Sequence, residues 1–437
     1  MIINGKTFWN KEELFDLVLV PFNNYEVCAY KESQNLLFDI LHSAATKEPG
    51  RIALEYNNIS YTYKELEEKV IEIIQFLEST KQVKYKEVIA ILMNNRPEFV
   101  TSIFSITYLG AIACPLNARL NPNEIIPILK DCKTKILITD DLWFKKIQPL
   151  IKETNIQHVI NVDHLLFNFL KENDRHKIKN EILTKIKNNI YPDDPAIILY
   201  TSGTTNKPKG VTITHFNIFN SVITYSRILK IGQNDSTVIA VPLSYVTGLI
   251  AQLLLFFYCK GKVYLMKEFH SEDLLCIFHK KQITFFHATA AFFNIMLNTK
   301  NRNDYNLTSL KMVLCGGGPS PKKMISSLRE WLPWLDFRTV YGLTETSSPA
   351  TILPKYKIEN NFYTCGKPIP VIDLKIVNES NRDLEYNEIG EVLLRGGVVV
   401  PNYWNNFEET RNVFHNGWFR TGDIGKIDEN GFLYILD

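Results

Sequence analysis

Short apolar segments rich in β-branched residues alternate with amphipathic segments along most of this chain. In the first part of the sequence, four apolar segments read as buried strands, at 87–93, 110–114, 135–139 and 158–162. Before them, Thr62 is expected to begin an amphipathic helix, because Glu65 completes a capping box. Strands that alternate with helices predict two parallel or mixed α/β layers and exclude an all-α or an all-β fold.

A second series of apolar segments follows, and we expect six further strands at 196–200, 237–243, 262–266, 283–287, 311–315 and 337–341. Residues 171–189 separate the two series and are polar and lysine-rich. We interpret them as a solvated connecting helix, with a nucleic-acid-binding arm as the alternative. After residue 350, short segments at 374–377, 390–395 and 431–436, the last after a turn at 428–431, are typical of a small β-rich unit.

These changes of pattern predict three units. We expect an N-terminal α/β subdomain at 1–190, a second α/β subdomain at 191–347 and a β-rich subdomain at 348–437.

Charge and cysteine content exclude several classes of protein. Lysines and arginines number 49 and aspartates and glutamates 47, so a net charge of +2 creates no field that would attract nucleic acid. The 7 cysteines lack metal-ligand spacing and fit free thiols in a reducing compartment. The N-terminus has no secretory signal pattern, and the longest apolar run, 246–258, is too short to span a bilayer. We therefore expect a cytoplasmic protein without a transmembrane segment.

The most informative loop is 200–211, with the sequence YTSGTTNKPKGV. It follows a predicted buried strand and precedes a predicted helix that begins near His215. Backbone N–H groups, hydroxyls and lysines at this density can bind phosphate oxygens. The loop does not match the pattern of a Walker A motif. Composition alone leaves a polar surface turn as an equal alternative.

The exact string resembles the phosphate loop of the adenylate-forming superfamily, which includes the acyl-CoA synthetases. Four further segments are similar to other motifs of that superfamily and occur in the expected order: 316–319 (GGGP), 341–346 (YGLTET), 403–406 (YWNN) and 417–423 (GWFRTGD). Together with the loop they cover the chain from about residue 50 to its end. The resemblance implies two layered α/β subdomains and a small, β-rich, distorted barrel, with the active site between them.

The resemblance also implies roles for individual residues in binding MgATP. Thr201, Lys209, Thr344 and Glu345 would be the catalytic residues, with Glu345 as the Mg²⁺ ligand and Thr344 at the α-phosphate. Tyr341 would stack on adenine, and Asp423 would accept hydrogen bonds from the ribose hydroxyls. The remaining nucleotide-binding positions would be Ser202, Gly203, Thr204 and Thr205 in the phosphate loop and Gly316, Gly317, Gly318 and Gly342 beside the adenine. Asn206 replaces a glycine that is usual in the family, and asparagine tolerates the positive φ of such a turn.

For the acyl pocket, the resemblance indicates Tyr245, Gly248, His287, Gly316 and Gly342. Ser244 and Tyr245 stand where the family often has an aromatic–histidine pair, so Tyr245 is expected either to gate the pocket or to pack as an ordinary aromatic residue. His287 is expected to line the wall rather than act as a base, because the attacking carboxylate is already ionised. The apolar stretch 249–257 and the phenylalanines at 285, 286, 292 and 293 either favour an apolar acyl or aryl substrate or belong to the core.

The function that the resemblance implies is an AMP-forming acid–thiol ligase of the acyl-CoA synthetase type. Its substrates would be a carboxylic acid, MgATP and a thiol, with CoA as the expected thiol and a carrier protein as the alternative. Amino-acid activation is disfavoured, because no aspartate near Ser244 would pair with a substrate ammonium. A catalytically silent nucleotide- or acyl-binding protein is the alternative from another class.

In this family, a small mobile C-terminal domain with a catalytic lysine would follow position 437. We therefore expect this chain to be the adenylate-binding large domain, without that mobile domain, and to react slowly by itself.

Overall fold

The computed structural model describes residues 1–164, 189–201, 208–355, 361 and 363–436. Almost all of the predicted connecting helix at 171–189 lies outside these residues. Among the described helices, none combines the length and the apolar character needed to cross a membrane.

One sheet contains six strands, five of which were predicted. Buried parallel strands form most of it, and a closing antiparallel hairpin lies at one edge, as the pairing registers show. In spatial order the strands are Lys209–Thr214, Pro195–Thr201, Ile112–Pro115, Val88–Leu92, Ile136–Thr139 and His158–Asn161. The strand Lys209–Thr214 was not predicted, because its lysine and threonines read as part of the polar loop.

A second sheet contains nine strands and is parallel through its middle, with antiparallel strands at both ends. In spatial order they are Lys367–Pro368, Thr351–Ile352, Asp336–Tyr341, Met312–Cys315, Phe285–Ala288, Ser236–Ile239, Lys262–Leu265, Ile52–Tyr56 and Ile59–Thr62. Its parallel strands include five of the six strands predicted in the second series, because the one predicted at 196–200 lies in the first sheet; Ser236–Ile239 ends earlier than expected.

The third sheet is antiparallel and confirms the predicted β-rich unit. It comprises Ile3–Asn4, Ile372–Val377, Gly390–Gly396, Trp418–Ile427 and Phe414–His415, with Leu433–Ile435 paired to Trp418–Ile427. A separate hairpin of Leu17–Phe22 and Tyr25–Tyr30, which was not predicted, lies near the start of the chain. The mixed α/β architecture with a β-rich unit therefore agrees with the predicted fold class.

Helices cover the sheets. They are Leu37–Lys47, Tyr63–Lys81, Pro97–Tyr108, Pro122–Asp131, Asp141–Ile147, His215–Leu229, Ser271–Lys281, Ala290–Leu297, Lys322–Trp331 and Phe407–Val413. A further helical stretch consists of Val246–Gly248, a π-helical segment Leu249–Leu254, and Leu255–Tyr258. The predicted capping box at Thr62 and Glu65 is present at the start of Tyr63–Lys81.

The predicted subdomain boundaries at 190 and 347 stay predictions. The sheet order adds a fact about them: the first sheet includes Pro195–Thr201 and the second includes Ile52–Tyr56. Each large sheet therefore takes strands from both sides of residue 190. Such an arrangement is possible because parallel strands are joined by long crossover connections.

Candidate active site

The phosphate-loop hairpin places Lys209 at the edge of the first sheet. Thr201, the last residue of one strand, lies opposite Lys209, the first residue of the next. The predicted phosphate-binding residues Ser202, Gly203, Thr204 and Thr205 lie outside the described residues. Thr201 and Lys209 therefore flank the predicted loop on a paired and mostly buried backbone.

The ammonium of Lys209 is held by two residues from a distant segment. Its Nζ forms an ion pair with Glu409, and it lies 5.5 Å from the centre of the Tyr403 ring. The Lys209 side chain is only 13% exposed. An ammonium so far removed from water needs such partners, since an unpaired buried charge is costly.

Tyr403 also connects this lysine to Glu345. Its hydroxyl donates a 2.8 Å hydrogen bond to Glu345 Oε1, and the Glu345 carbonyl accepts a hydrogen bond from the Val400 N–H. Burial raises the pKa of the Glu345 carboxyl, and the nearby charge of Asp423 acts in the same direction, whereas Tyr403 and the positive charge of Lys209 lower that pKa. Lys209, Tyr403 and Glu345 therefore form a compact polar cluster that is poorly solvated.

The short 3₁₀ turn Thr344–Thr346 carries two of the predicted catalytic residues. It directly follows the strand Asp336–Tyr341, so Glu345 is presented at the carboxyl end of a parallel strand. This is the edge of an α/β sheet where ligands usually bind. Glu345 is buried, while Thr344 is partly exposed.

Tyr341 and Asp423, which were predicted to contact adenine and ribose, are in direct contact with each other. The Tyr341 hydroxyl donates a 2.6 Å hydrogen bond to Asp423 Oδ2. Burial raises the pKa of Asp423, and the hydrogen bond from Tyr341 partly offsets that effect. Thr421, which was not predicted, accepts a hydrogen bond from the Asp423 N–H. The structure therefore fixes the side chain of Asp423 from one side and its backbone from the other.

Two of the predicted glycines are required by the packing of the protein itself. A Cβ on Gly316 would lie 2.5 Å from Val340 Cγ1, and a Cβ on Gly342 would lie 1.5 Å from the Ser348 carbonyl oxygen. Gly317 instead needs its φ of +75°, while a Cβ on Gly318 would meet no atom within 4 Å. Of these four glycines, Gly318 alone has nothing within 4 Å of its Cβ position, and the predicted approach of a nucleotide to them stays a prediction.

The predicted acyl-pocket residues occupy two different environments. Tyr245 is 43% exposed, and its hydroxyl accepts a hydrogen bond from Asn117 Nδ2 at 2.8 Å. This exposure argues against an aromatic residue packed in the core, and gating stays a prediction. A Cβ on Gly248 would meet the Pro242 carbonyl oxygen at 2.6 Å, so this glycine allows the helix to approach that backbone closely.

His287 is fully enclosed. Burial lowers its pKa to about 3, so the ring is neutral near pH 7. Its Nδ1 has no hydrogen-bond partner among the described residues, while its Nε2 lies 3.5 Å from the Cβ position of Gly316. The buried amide of Gln252, in the π-helical segment, donates to the His287 carbonyl at 3.1 Å. A neutral ring is consistent with a wall residue.

The apolar stretch 249–257 belongs to the protein core. Its residues are fully buried, as are Phe285, Phe286 and Phe293. Phe292 is partly buried and contacts Phe269 in a tilted arrangement, with 4.5 Å between ring centres. These side chains pack against one another, so they carry no argument about the acyl group.

Glu409 and Thr421 are site residues that were not predicted, and Tyr403 was predicted only as part of the YWNN motif. Lys209 and Glu409 are 200 residues apart in sequence, and Tyr403 and Glu345 are 58 apart. A glutamate in a polar surface helix has no distinctive sequence signal. Thr421 could have been found, because it lies within the GWFRTGD segment two residues before Asp423.

The chemistry of these donors fits the expected Mg²⁺ and ATP. Among the described residues, no group of three or more His, Cys, Asp or Glu side chains could hold a metal by itself. Glu345 would thus supply one carboxylate, and phosphate oxygens and water would complete the coordination, as is usual for Mg²⁺. Lys209 would add a positive charge for the phosphates.

Comparisons with known proteins agree with this geometry. Residues 41–404 match the family of AMP-binding enzymes. The 2-succinylbenzoate–CoA ligase of Bacillus velezensis is 31% identical over 390 residues, which cover 89% of this chain and 75% of the relative. The ligase of the same name from Bacillus subtilis is 31% identical over 398 residues, which cover 91% of this chain and 77% of the relative.

Two solved structures extend the comparison. A double mutant of the o-succinylbenzoate CoA synthetase of Bacillus subtilis, bound with a product analogue, gives a TM-score of 0.80 at 30% identity, covering 92% of this chain and 78% of that one. A long-chain-fatty-acid–CoA ligase from Archaeoglobus fulgidus gives a TM-score of 0.85 at 24% identity, covering 92% of this chain and 84% of that one. The second likeness is one of fold.

Proposed function

Since the chain belongs to the AMP-binding enzyme family, we propose that it is the adenylate-binding part of an ATP-dependent acid–CoA ligase. The reaction joins a carboxylate to the α-phosphate of ATP, which releases pyrophosphate. The acyl group of the acyl-adenylate then passes to a thiol, which forms a thioester and releases AMP and a proton. Membership of the family confirms the resemblance that the sequence motifs indicated.

The observation that carries this proposal is the convergence of Lys209, Glu345 and Asp423. These residues come from three distant parts of the chain, and Tyr403 and Tyr341 hold two of them by hydrogen bonds. A cation for phosphates, a carboxylate for Mg²⁺ and a second carboxylate for ribose are what MgATP requires. The presence of all three residues favours adenylation over silent binding, which needs no Mg²⁺ ligand.

In this proposal, the residues of the chain position MgATP rather than supply a nucleophile. Lys209 and the phosphate loop orient the β- and γ-phosphates, while Thr344 lies toward the α-phosphate. Asp423 orients the ribose. Mg²⁺, held by Glu345 and the phosphates, would neutralise the charge that develops on the departing pyrophosphate.

For the acid, we propose an aromatic carboxylate with a second polar group, of which 2-succinylbenzoate is the candidate. The relatives at 31% identity carry that substrate in their names. The unpartnered Nδ1 of the buried His287 supports a polar group on the acid, since buried polar atoms are normally hydrogen-bonded by protein, water or ligand. The same names support CoA rather than a carrier protein as the thiol.

Binding of non-hydrolysable acyl-sulfamoyl adenosines to this chain tests the proposal. Calorimetry would compare the 2-succinylbenzoyl, benzoyl and octanoyl compounds with adenosine 5′-sulfamate as the matched control. We expect the 2-succinylbenzoyl compound to bind tightest and, at 100 times its Kd, to stabilise the fold by about 2.7 kcal/mol. Equal affinity for all four would contradict the proposed acid, and no binding of any would contradict the adenylation function.

A further inference from the structure

Glu409 has a contact that adenylate chemistry by itself does not explain. Its carboxylate forms the ion pair with Lys209, the lysine expected to bind the ATP phosphates. The Glu409 side chain is 24% exposed and the Lys209 side chain 13%. Pairing in so poorly solvated a place is stronger than at an open surface, because water screens the two charges less.

Backbone hydrogen bonds join the chain segments next to the two residues. The Trp404 N–H donates to the Gly210 carbonyl at 2.7 Å, and the Thr212 N–H donates to the Asn402 carbonyl at 3.2 Å. The start of the helix Phe407–Val413 is fixed in turn, because Asn406 Oδ1 accepts a hydrogen bond from the Glu409 N–H at 3.1 Å. The segments are thus held together by backbone contacts, whereas the ion pair joins two side chains, which can change partners by rotation.

A polyphosphate at Lys209 would be close to this carboxylate. Two anions that share one ammonium repel each other, so the Glu409 carboxylate would weaken the binding of a phosphate at Lys209. The flexible side chain of Lys209 can leave Glu409 for a phosphate oxygen and return when the phosphate departs.

We propose that Glu409 is a positioning residue that competes with pyrophosphate for Lys209, holding the ammonium when the phosphate site is empty and favouring pyrophosphate release after adenylation. This inference rests on the proposed function and adds a step to it. Glu409 acts through Lys209 and has no contact with the reacting atoms.

Pyrophosphate binding by calorimetry, and its dissociation rate by stopped flow, test this inference in the presence of Mg²⁺. Glu409→Gln removes the negative charge and keeps a hydrogen-bond acceptor. We expect this variant to bind pyrophosphate about three- to tenfold tighter, with slower dissociation and an effect that shrinks at high salt. Glu408→Gln is the matched control, because it makes the same change of net charge at an exposed position of the same helix.

Glu409→Ala removes the carboxylate and its hydrogen bond together and should also tighten pyrophosphate binding. If either variant weakens binding, or if Glu409→Gln behaves like Glu408→Gln, competition for Lys209 is excluded. The wild-type chain separates this failure from a failure of the proposed function. If it binds neither MgATP nor the acyl-adenylate analogues, the function fails, whereas binding without a difference between the two glutamine variants overturns only this inference.

Discussion

The hydroxyl of Tyr341 donates a 2.6 Å hydrogen bond to Oδ2 of Asp423, which lies 82 residues further along the chain. This bond joins the strand Asp336–Tyr341 of the second sheet to the strand Trp418–Ile427 of the β-rich sheet. The hydrogen bond therefore aligns the two residues that are expected at the adenine and the ribose. Preorganisation of this kind lowers the entropy that is lost on binding.

Replacing Tyr341 with phenylalanine should weaken ATP binding. The change removes the donor and leaves the Asp423 carboxylate free to rotate, so we expect the Kd for MgATP to rise about fivefold to twentyfold, in line with a lost hydrogen bond to a charged group. Calorimetry measures the change. Tyr63→Phe is the control. The Tyr63 hydroxyl also makes a buried hydrogen bond, at 2.6 Å to the Gly261 carbonyl, but it does not belong to the candidate site. If both variants show the same Kd as the wild type, Tyr341 does not position Asp423.

Replacing Glu345 with glutamine should remove the dependence of ATP binding on Mg²⁺. The amide has no net charge to offer the cation, so MgATP should bind about as weakly as ATP in the presence of EDTA. Titrations with and without Mg²⁺ measure the difference for each protein. An undiminished gain in affinity from Mg²⁺ in the variant would assign the metal-binding role to another residue.

Replacing Gly342 with alanine should destabilise the fold severely. The new methyl group would lie 1.5 Å from the Ser348 carbonyl oxygen, a backbone atom that cannot move away by rotation of a side chain. We expect a loss of at least about 3 kcal/mol in the free energy of unfolding, or insoluble protein. Gly232→Ala is the control, since a Cβ there would meet nothing within 4 Å. Urea denaturation measures the free energy of unfolding of both variants. Equal values would show that the turn at Gly342 has another conformation.

Stability should fall as the pH drops from about 6.5 to about 4, in part because of His215. Burial lowers the pKa of His215 to about 4 against 6.5 for the free side chain, although Asp194 and Asp39 act in the opposite direction. Its Nδ1 accepts a 2.9 Å hydrogen bond from the Leu37 N–H, which protonation would break. The unfolded chain takes up the proton at higher pH than the folded protein, so stability is full above pH 6.5 and decreases toward pH 4, by about 3 kcal/mol.

Urea denaturation of His215→Asn across this pH range isolates the contribution. The variant should be less stable than the wild type at pH 7. Its free energy of unfolding should also change much less between pH 7 and pH 4 than that of the wild type. His415→Asn, at an exposed position, is the control. If the stabilities of the wild type and of His215→Asn change with pH in the same way, His215 is not the group whose protonation lowers stability.

Local patterns in the sequence predicted most of the elements. The capping box at Thr62 and Glu65 gives the start of its helix correctly, because both partners lie within one turn. The strands Val88–Leu92 and Met312–Cys315 are recognisable because burial in a parallel sheet requires continuous apolar residues. The strand Lys209–Thr214 was missed, since its place in the sheet depends on pairing with Pro195–Thr201 and not on its own composition.

The α/β class follows from the alternation of apolar and amphipathic segments, and the family and the roles expected of Lys209, Glu345 and Asp423 follow from short motifs whose residues lie close together in the sequence. The partners of those side chains are known only from the folded protein. Tyr403 reaches Glu345 and Glu409 reaches Lys209 through chain segments that meet after the sheets have formed. Such contacts depend on the packing of whole elements, and a polar residue carries no sequence signal for a partner that is brought near by the packing of distant segments.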